Sequence, residues 1–74
     1  MSHTVAAEMV ANVAQLVAGV GDAVTATDTL VILESMKMEI PVLAEVAGVV
    51  AELAVKVGDV ITEGDVIAVI ETGG

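Results

Sequence analysis

The sequence predicts an all-β fold in which two small antiparallel sheets face each other as a sandwich or flattened barrel. Hydrophobic residues make up 57% of the chain, and none of them is aromatic. The core must therefore be aliphatic, and the abundant β-branched residues favour strands. The sequence also repeats itself at a shift of 37 residues, which places Glu8 on Glu45. A repeated β unit implies an approximate two-fold axis, and 74 residues are enough for one domain, residues 1–74.

The repeat predicts the strands of both units together. In the shifted alignment the Val-Gly-Asp triplet at 20–22 meets the same triplet at 57–59, and Asp28 meets Asp65. Gly and Asp favour tight turns, so each triplet follows the end of a strand. We expect strands at 13–17, 23–24 and 29–34 in the first unit, and at 49–55, 60–61 and 66–71 in the second.

The segment at 5–17 fits two structures. Several of its apolar residues follow helical spacing, and its alanines favour a helix. The equivalent segment 42–54 contains Gly48 followed by two valines, which make a poor helix core. Because both copies should share one structure, we expect a strand rather than a helix at 5–17.

The boundary between the two copies lies near Lys37. The strands on either side predict a hairpin whose two central residues are Met36 and Lys37. Such turns usually contain Gly or Asn, because positive φ is costly for other residues, and broken local rules are typical of functional positions. Pro41 suits an edge strand on the way out of the turn. The repeat places Lys37 at one extremity of the molecule, and the chain end at 73–74 at the other.

Two interpretations of the hairpin tip follow from its residue types. Methionines beside a lone lysine at a protruding turn suggest contact with another molecule. Alternatively, Met36 and Met38 pack on the core and Lys37 only improves solubility. The chain has only 2 basic residues, so one of them in this context is unusual.

The charge and composition exclude several functions. With 11 acidic residues the formal net charge is −9, which repels polyanions and makes nucleic acid and anionic membranes poor partners. The acidity either serves solubility or matches a basic groove on a partner protein. The chain has no cysteine, its single histidine is His3 near the N-terminus, and its acidic residues lack metal-ligand spacing, so we expect no metal site. No secretory signal or membrane-length apolar run is visible, which predicts a cytoplasmic protein.

The sequence around Lys37 resembles a known attachment motif. The run Glu34-Ser35-Met36-Lys37-Met38-Glu39-Ile40 is similar to the biotin attachment motif of biotin carboxyl carrier proteins and of the biotinyl domains of carboxylases. The turns at 57–59 and 63–65 and the internal symmetry fit the same family. Related lipoyl domains share the fold but usually carry Asp-Lys-Ala at the tip, so the methionines favour biotin. Two departures from the family are residues 8–12, which replace a stretch containing Pro and Gly, and Thr27, which replaces a turn Gly.

The resemblance implies a carrier that has no catalytic residue of its own. A biotin protein ligase would use ATP to join biotin to the Lys37 amine. A biotin carboxylase would then load a carboxyl group onto biotin, and a carboxyltransferase would pass it on, in an acyl-CoA or related carboxylase system. The expected recognition residues around the attachment site are Glu34, Ser35, Met36, Met38 and Glu39. Glu34 and Glu39 are either solvated charges or guides for the ligase, whereas Lys56 is expected to be an ordinary surface residue.

Two further functions stay open at this point. One is a lipoyl carrier, which shares the fold but carries a different cofactor. The other is a free-standing biotinylated interaction module that serves no carboxylase, or a module whose motif is unused. The mass of the attached group separates the first from a biotin carrier, and a carboxyl-transfer assay separates the second.

Overall fold

The structure, a computed structural model, describes residues 1–73 and contains eight β-strands within that range. In chain order these are β1 (Ser2–Ala6), β2 (Ala11–Leu16), β3 (Ala23–Val24), β4 (Thr29–Ser35), β5 (Met38–Leu43), β6 (Gly48–Leu53), β7 (Val60–Ile61) and β8 (Val66–Glu71). They form two antiparallel four-stranded sheets, ordered β1-β8-β6-β3 and β5-β4-β2-β7. The predicted all-β fold of two small sheets is confirmed. Gly74, the last residue of the predicted domain and chain-end position, lies outside the described residues.

The 37-residue repeat is visible in the strands and in their pairing. The shift carries β2 onto β6 and β3 onto β7, residue for residue. It also converts one sheet order into the other, because β1, β8, β6 and β3 become β5, β4, β2 and β7. The register slips at matched places, between Val13 and Gln15 in β2 and between Val50 and Glu52 in β6. The predicted pseudo-two-fold relation is therefore confirmed.

The ambiguous segment at 5–17 forms strands, as predicted, but not one continuous strand. β1 ends at Ala6, residues 7–10 bend, and β2 begins at Ala11. The bend is needed because β1 and β2 belong to different sheets, so the chain must cross between them. The strand predicted at 13–17 is found at Ala11–Leu16, and the strand predicted at 49–55 is found at Gly48–Leu53.

The core between the sheets is aliphatic. Leu30, Leu33, Ile67 and Ile70 are its largest fully buried side chains, and the repeat relates them in two pairs. Each contributes roughly 1.5–3 kcal/mol through removal of apolar surface from water. No buried side chain in residues 1–73 is polar or charged. The two copies therefore contribute matched layers to one core.

Four aspartates close the turns that flank the short strands β3 and β7. Each accepts a hydrogen bond on Oδ2 from the backbone N–H three residues earlier, at 2.8–2.9 Å, and they are Asp22, Asp28, Asp59 and Asp65. Each backbone N–H of these aspartates also donates to the carbonyl of that same earlier residue. These matched acidic positions therefore stabilise turns, in addition to any effect on solubility.

Thr27 stands where the second unit has Gly64, and a residue with positive φ, Glu45, lies on the loop that faces the Thr27 turn. Its counterpart Gly64 has φ 93° and donates a backbone hydrogen bond to the Ala7 carbonyl at 2.9 Å. Beside the turn that contains Thr27, Glu45 of the second unit has φ 74°, and its backbone N–H donates to the Ala26 carbonyl at 2.9 Å. A Cβ makes positive φ costly. The absence of Gly in the turn is thus accompanied by strain at Glu45, on the facing loop.

Candidate functional site

The hairpin between β4 and β5 is as tight as predicted. Ser35 and Met38 are the last paired residues, and only Met36 and Lys37 lie between them. Their φ angles are 52° and 65°, both in the left-handed region. Positive φ at both central residues is the signature of a type I′ turn, which matches the twist of the flanking strands. The prediction that this turn places Met36 and Lys37 at positive φ, which is costly for both residues, is therefore confirmed.

The base of the hairpin is held in the core while its tip projects. β4 lies between β5 and β2 in its sheet, and Leu33, which pairs with Ile40, is only 2% exposed. Beyond this pair the strands lead outward to Ser35 and Met38. The β5 edge position confirms the expectation drawn from Pro41, because no strand within residues 1–73 pairs with its outer side. The turn is thus a rigid projection rather than a loose loop.

The three residues of the tip are all exposed. Met36 is 90% exposed and Met38 is 61% exposed, so the alternative in which both methionines pack on the core is wrong. Lys37 is exposed as well. No ion pair joins its ammonium group to any other of residues 1–73. Its amine is therefore accessible to an external reagent without breaking an internal contact.

Two glutamates lie directly opposite each other at the base of the tip. Glu34 and Glu39 are Cα partners across β4 and β5, and both are exposed. Like charges in this position destabilise a strand pair by roughly 0.2–1 kcal/mol. No cation bridges them within the described part of the chain. At the equivalent place in the other sheet, Glu71 pairs with Ser2 and binds the Met1 ammonium group at 3.0 Å.

The other lysine has a different setting. Lys56 lies between β6 and β7, and its backbone N–H donates to Asp59 Oδ2 at 2.9 Å. It is exposed, but it does not lie in a hairpin turn and no methionine flanks it. The structure thus separates the two lysines by local geometry, in line with the distinction drawn from sequence.

Two other kinds of feature are absent from the described residues. No group of three or more His, Cys, Asp or Glu side chains in residues 1–73 could hold a metal ion. The same range has no helix with the length and apolar character needed to cross a bilayer.

A groove beside the hairpin was not predicted. It runs between β5 and the segment from Ala6 to Met9, and its hairpin side is lined by Leu33, Ile40 and Pro41. One signal in the sequence could have indicated it. The repeat places His3 on Ile40, so a polar residue in one copy is apolar in the other. Positions where the copies differ are the places where symmetry cannot predict the surface.

The geometry of the tip fits a cofactor that is joined through an amide bond. An exposed primary amine without an internal partner can react with an activated carboxyl group. The two-residue turn and the buried base hold that amine away from the body of the domain. An attached group would therefore project into solvent, where separate enzymes can reach it.

Comparison with known proteins supports this chemistry. The profile of the family described as biotin-requiring enzyme matches residues 2–70. The biotinylated protein TB7.3 homolog of Mycolicibacterium smegmatis is 58% identical over 43 residues, which are 58% of this chain and 61% of that protein. The chain thus spans less than two thirds of the length of this relative.

Solved structures show the same fold. A region of the Kluyveromyces lactis urea carboxylase matches 96% of this chain with a TM-score of 0.90 and 37% identity, and the match covers 6% of that enzyme. The lipoyl domain of the Azotobacter vinelandii 2-oxoglutarate dehydrogenase complex matches 95% of this chain and 99% of that domain, with a TM-score of 0.76 and 27% identity. Together with the family match, these findings show that the chain belongs to the biotin-requiring enzyme family, as a biotinyl domain whose cofactor is covalently attached biotin.

Proposed function

We propose that Lys37 carries the biotin and that the domain is a carrier of carboxyl groups. The observation that supports this most strongly is the hairpin tip, where an exposed, unpaired amine sits in a strained two-residue turn. Backbone strain of this kind costs of order 1–3 kcal/mol per residue and persists where function requires it. Lys56 is also exposed but does not lie in such a turn, so we assign attachment to Lys37 alone.

Attachment requires only the amine from this chain. A biotin protein ligase activates the carboxyl group of biotin with ATP, and the neutral Lys37 amine attacks that carbon. An amide bond forms, while the activating group and a proton leave. The charged ammonium group becomes a neutral amide, so one of the chain's 2 basic residues loses its charge. No general base on this domain is needed, because the ligase supplies the activated carboxyl group, and solvent or the ligase accepts the ammonium proton.

The domain then contributes position rather than catalysis. Bound biotin supplies a ring nitrogen that can hold a carboxyl group between one enzyme and the next. The buried base of the hairpin keeps the attachment point at a fixed place, and the long side chain provides reach. Tethering replaces a free cofactor with one held at high effective concentration near each active site.

The ligase would recognise the surface around Lys37. Met36 and Met38 supply exposed, adaptable apolar contacts, and Ser35 lies half-buried at the start of the turn. Glu34 and Glu39 form an uncompensated acidic pair beside them. Such a pair favours a partner that offers basic groups, which would relieve the repulsion on binding.

The enzymes that use the tethered biotin would be a biotin carboxylase and a carboxyltransferase. The close likeness to a region of a urea carboxylase supports a carboxylase system as the setting. An acyl-CoA or related carboxylase, like a cytoplasmic location, stays a prediction from sequence. The lipoyl domain shares this fold, so the mass of the adduct on Lys37 is the measurement that separates biotin from a lipoyl group.

The carrier role is tested by carboxyl transfer. The biotinylated wild-type domain and the Lys37→Arg variant would be supplied to a biotin carboxylase and carboxyltransferase, with labelled bicarbonate as the carboxyl source. We expect label to reach the acceptor only with the wild-type domain. The Lys56→Arg variant is the matched control and should retain full transfer. Equal transfer by wild type and Lys37→Arg would refute the carrier role.

Recognition by the ligase is tested at Met36. The side chain is 90% exposed, so Met36→Asp should leave the fold intact while replacing the apolar contact that Met36 offers the ligase with a charged group. We expect the rate of biotinylation to fall by about tenfold or more, measured by intact mass against time. Val20→Asp is the control, since Val20 is 64% exposed and lies away from the hairpin. If both variants are labelled at the wild-type rate, Met36 has no part in recognition.

A further inference from the structure

β1 and β5 are edge strands of the two sheets, and the gap between these two edges is called the seam here. A side-chain contact bridges the seam at one end only. At the closed end, Nε2 of His3 lies 2.8 Å from Oε1 of Glu45. The repeat places Ile40 where His3 stands, and Glu8 where Glu45 stands. Ile40 cannot bond a carboxylate, so the symmetric bridge cannot form at the other end. The pseudo-symmetry is broken there, and the seam opens into a groove of about 240 Å³.

The open part of the seam lies on the side of the attachment hairpin. Leu33 and Ile40 form the third strand pair from the turn, and both line the groove. Their counterparts Ile70 and His3, at the other end, do not line it. The surface of the groove is mostly apolar. One wall consists of residues of β5 with Leu33 beside them, namely Leu33, Ile40, Pro41, Val42 and Leu43. The other wall is the bend after β1, with Ala6, Ala7 and Met9, and Glu8 and Glu45 lie at the rim.

The groove is within reach of a group attached to Lys37. Ile40 and Pro41 lie three and four residues after Lys37 along the chain, which corresponds to a distance of about 10–14 Å from Lys37 at roughly 3.4 Å per residue. The lysine stem and the pentanoyl chain of biotin together provide roughly ten bonds of about 1.5 Å each. A chain of that length can fold back along the edge of β5 and place its terminal ring near Ile40.

We propose that the groove is a resting seat for the fused ring of the biotin on Lys37, an inference that rests on the proposed attachment. Clefts for whole drug-sized ligands measure about 300–1,000 Å³, so 240 Å³ suits a small ring system with its chain outside. The ring is uncharged, and its thioether side matches the polarisable side chain of Met9 and the apolar Ile40. A mostly apolar groove beside a tethered, uncharged ring should be covered by that ring part of the time.

The polar side of the ring also finds partners in the groove. β5 is an edge strand, so its outer backbone groups lack a strand partner, and Pro41 contributes a carbonyl but no N–H. The ureido group of biotin has two N–H donors and one carbonyl acceptor, which is the same chemistry as a strand edge. Glu8 at the rim offers a further acceptor for an N–H. The seat therefore offers partners to the apolar and the polar side of the ring, with the Glu8 carboxylate as a charged acceptor at the rim.

The test compares the biotinylated and unmodified domains by NMR after intact mass has verified the adduct. We expect nuclear Overhauser contacts between the biotin ring protons and the methyl groups of Met9 and Ile40. We also expect methyl shifts at these residues that the unmodified domain lacks. Shifts confined to residues 35–38, without ring contacts to Met9 or Ile40, would overturn the seat while leaving attachment intact. A chain that stays unmodified would instead overturn the proposed function, and the seat with it.

A second measurement uses the rate of capture by avidin, which binds only a ring that has left its seat. Met9 is 39% exposed, so Met9→Gln changes the groove wall with little effect on the core. We expect this variant to be captured at least twofold faster than the biotinylated wild type. Val20→Gln, away from the groove, is the matched control and should be captured at the wild-type rate. Equal rates for all three proteins would contradict the seat.

Discussion

The two ends of this domain are copies of each other, yet only one of them is closed by a turn. At the hairpin end, Ser35 and Met38 are joined through Met36 and Lys37, both at positive φ. At the opposite end, Met1 and Thr72 meet without a turn between them. There Thr72 donates from its backbone N–H to the Met1 carbonyl at 2.8 Å, and its hydroxyl donates to the same oxygen at 3.0 Å.

The difference between the ends concerns charge as much as connectivity. At the terminal end, the Met1 ammonium group neutralises Glu71, and Glu45 has His3 as its partner. At the hairpin end, Glu34 and Glu39 oppose each other without a cation between them, and Glu8 faces Ile40 across an open groove. One end therefore satisfies its polar groups internally, whereas the other leaves them available to a partner. We therefore propose that a single β unit used twice yields a structural end and a functional end.

The largest effect on stability is expected at Gly48, which lies at the terminal end. A Cβ there would overlap the carbonyl oxygen of Glu71 on the neighbouring strand β8, whereas the counterpart Ala11 is accommodated in the core. Gly48→Ala should therefore lower the free energy of unfolding by about 1–3 kcal/mol, because backbone must move. Urea unfolding followed by far-UV circular dichroism measures this, since the chain has no aromatic residue.

The control for this prediction is Gly19→Ala. A Cβ at Gly19 would meet only Asp22 Oδ2 at 3.9 Å, which is an ordinary contact. We expect a change within about 0.5 kcal/mol there. If Gly48→Ala proves equally mild, the close approach of β8 at the terminal end is not a real constraint.

A smaller effect of the opposite sign is expected at the hairpin tip. Met36 has φ 52°, a conformation that Asn tolerates much better than Met. Met36→Asn should raise the free energy of unfolding by about 1 kcal/mol. Met38 lies in β5 outside the left-handed region, so Met38→Asn is the control and should not stabilise the domain. An unchanged stability in Met36→Asn would argue against strain at the tip.

The smallest effect is expected from the bridge that closes the seam. Both side chains are substantially exposed, at 37% for His3 and 53% for Glu45, so solvent screens their interaction. His3→Ala should lower the free energy of unfolding by about 0.2–1 kcal/mol, and only part of this loss should depend on salt. Ser2→Ala on the same strand is the control. A loss of unfolding free energy well above this range would show that the His3–Glu45 contact stabilises the domain more than the exposure of its side chains suggests.

The fold was predictable because the repeat carries the same turn residues at matched places. The Val-Gly-Asp triplets at 20–22 and 57–59 each precede a two-residue strand, and Asp28 and Asp65 close the next turn in both copies. The strand bounds were less accurate at 5–17, where apolar residues continue through a bend. Local residue type cannot show that bend, because it arises from packing β1 and β2 in different sheets.

The features near the site also divide into those that local residue type predicts and those that arise only from packing. The two-residue turn and its exposed methionines were predictable, because residues with unusual conformational cost stood at a strand boundary. The opposition of Glu34 and Glu39 depends on strand register, and the groove depends on the approach of two edge strands distant in sequence. The strain at Glu45 depends on a hydrogen bond to the loop that contains Thr27. None of these follows from a single local pattern.

The central claim is that the functional end acts through Lys37 alone. It is tested most directly by coexpressing the wild type, Lys37→Arg and Lys56→Arg with a biotin protein ligase, followed by intact mass and peptide mapping. The account predicts one biotin per chain, located on Lys37, absent from Lys37→Arg and unchanged in Lys56→Arg. A biotin adduct that persists in Lys37→Arg, or a wild-type chain that carries none, would contradict it.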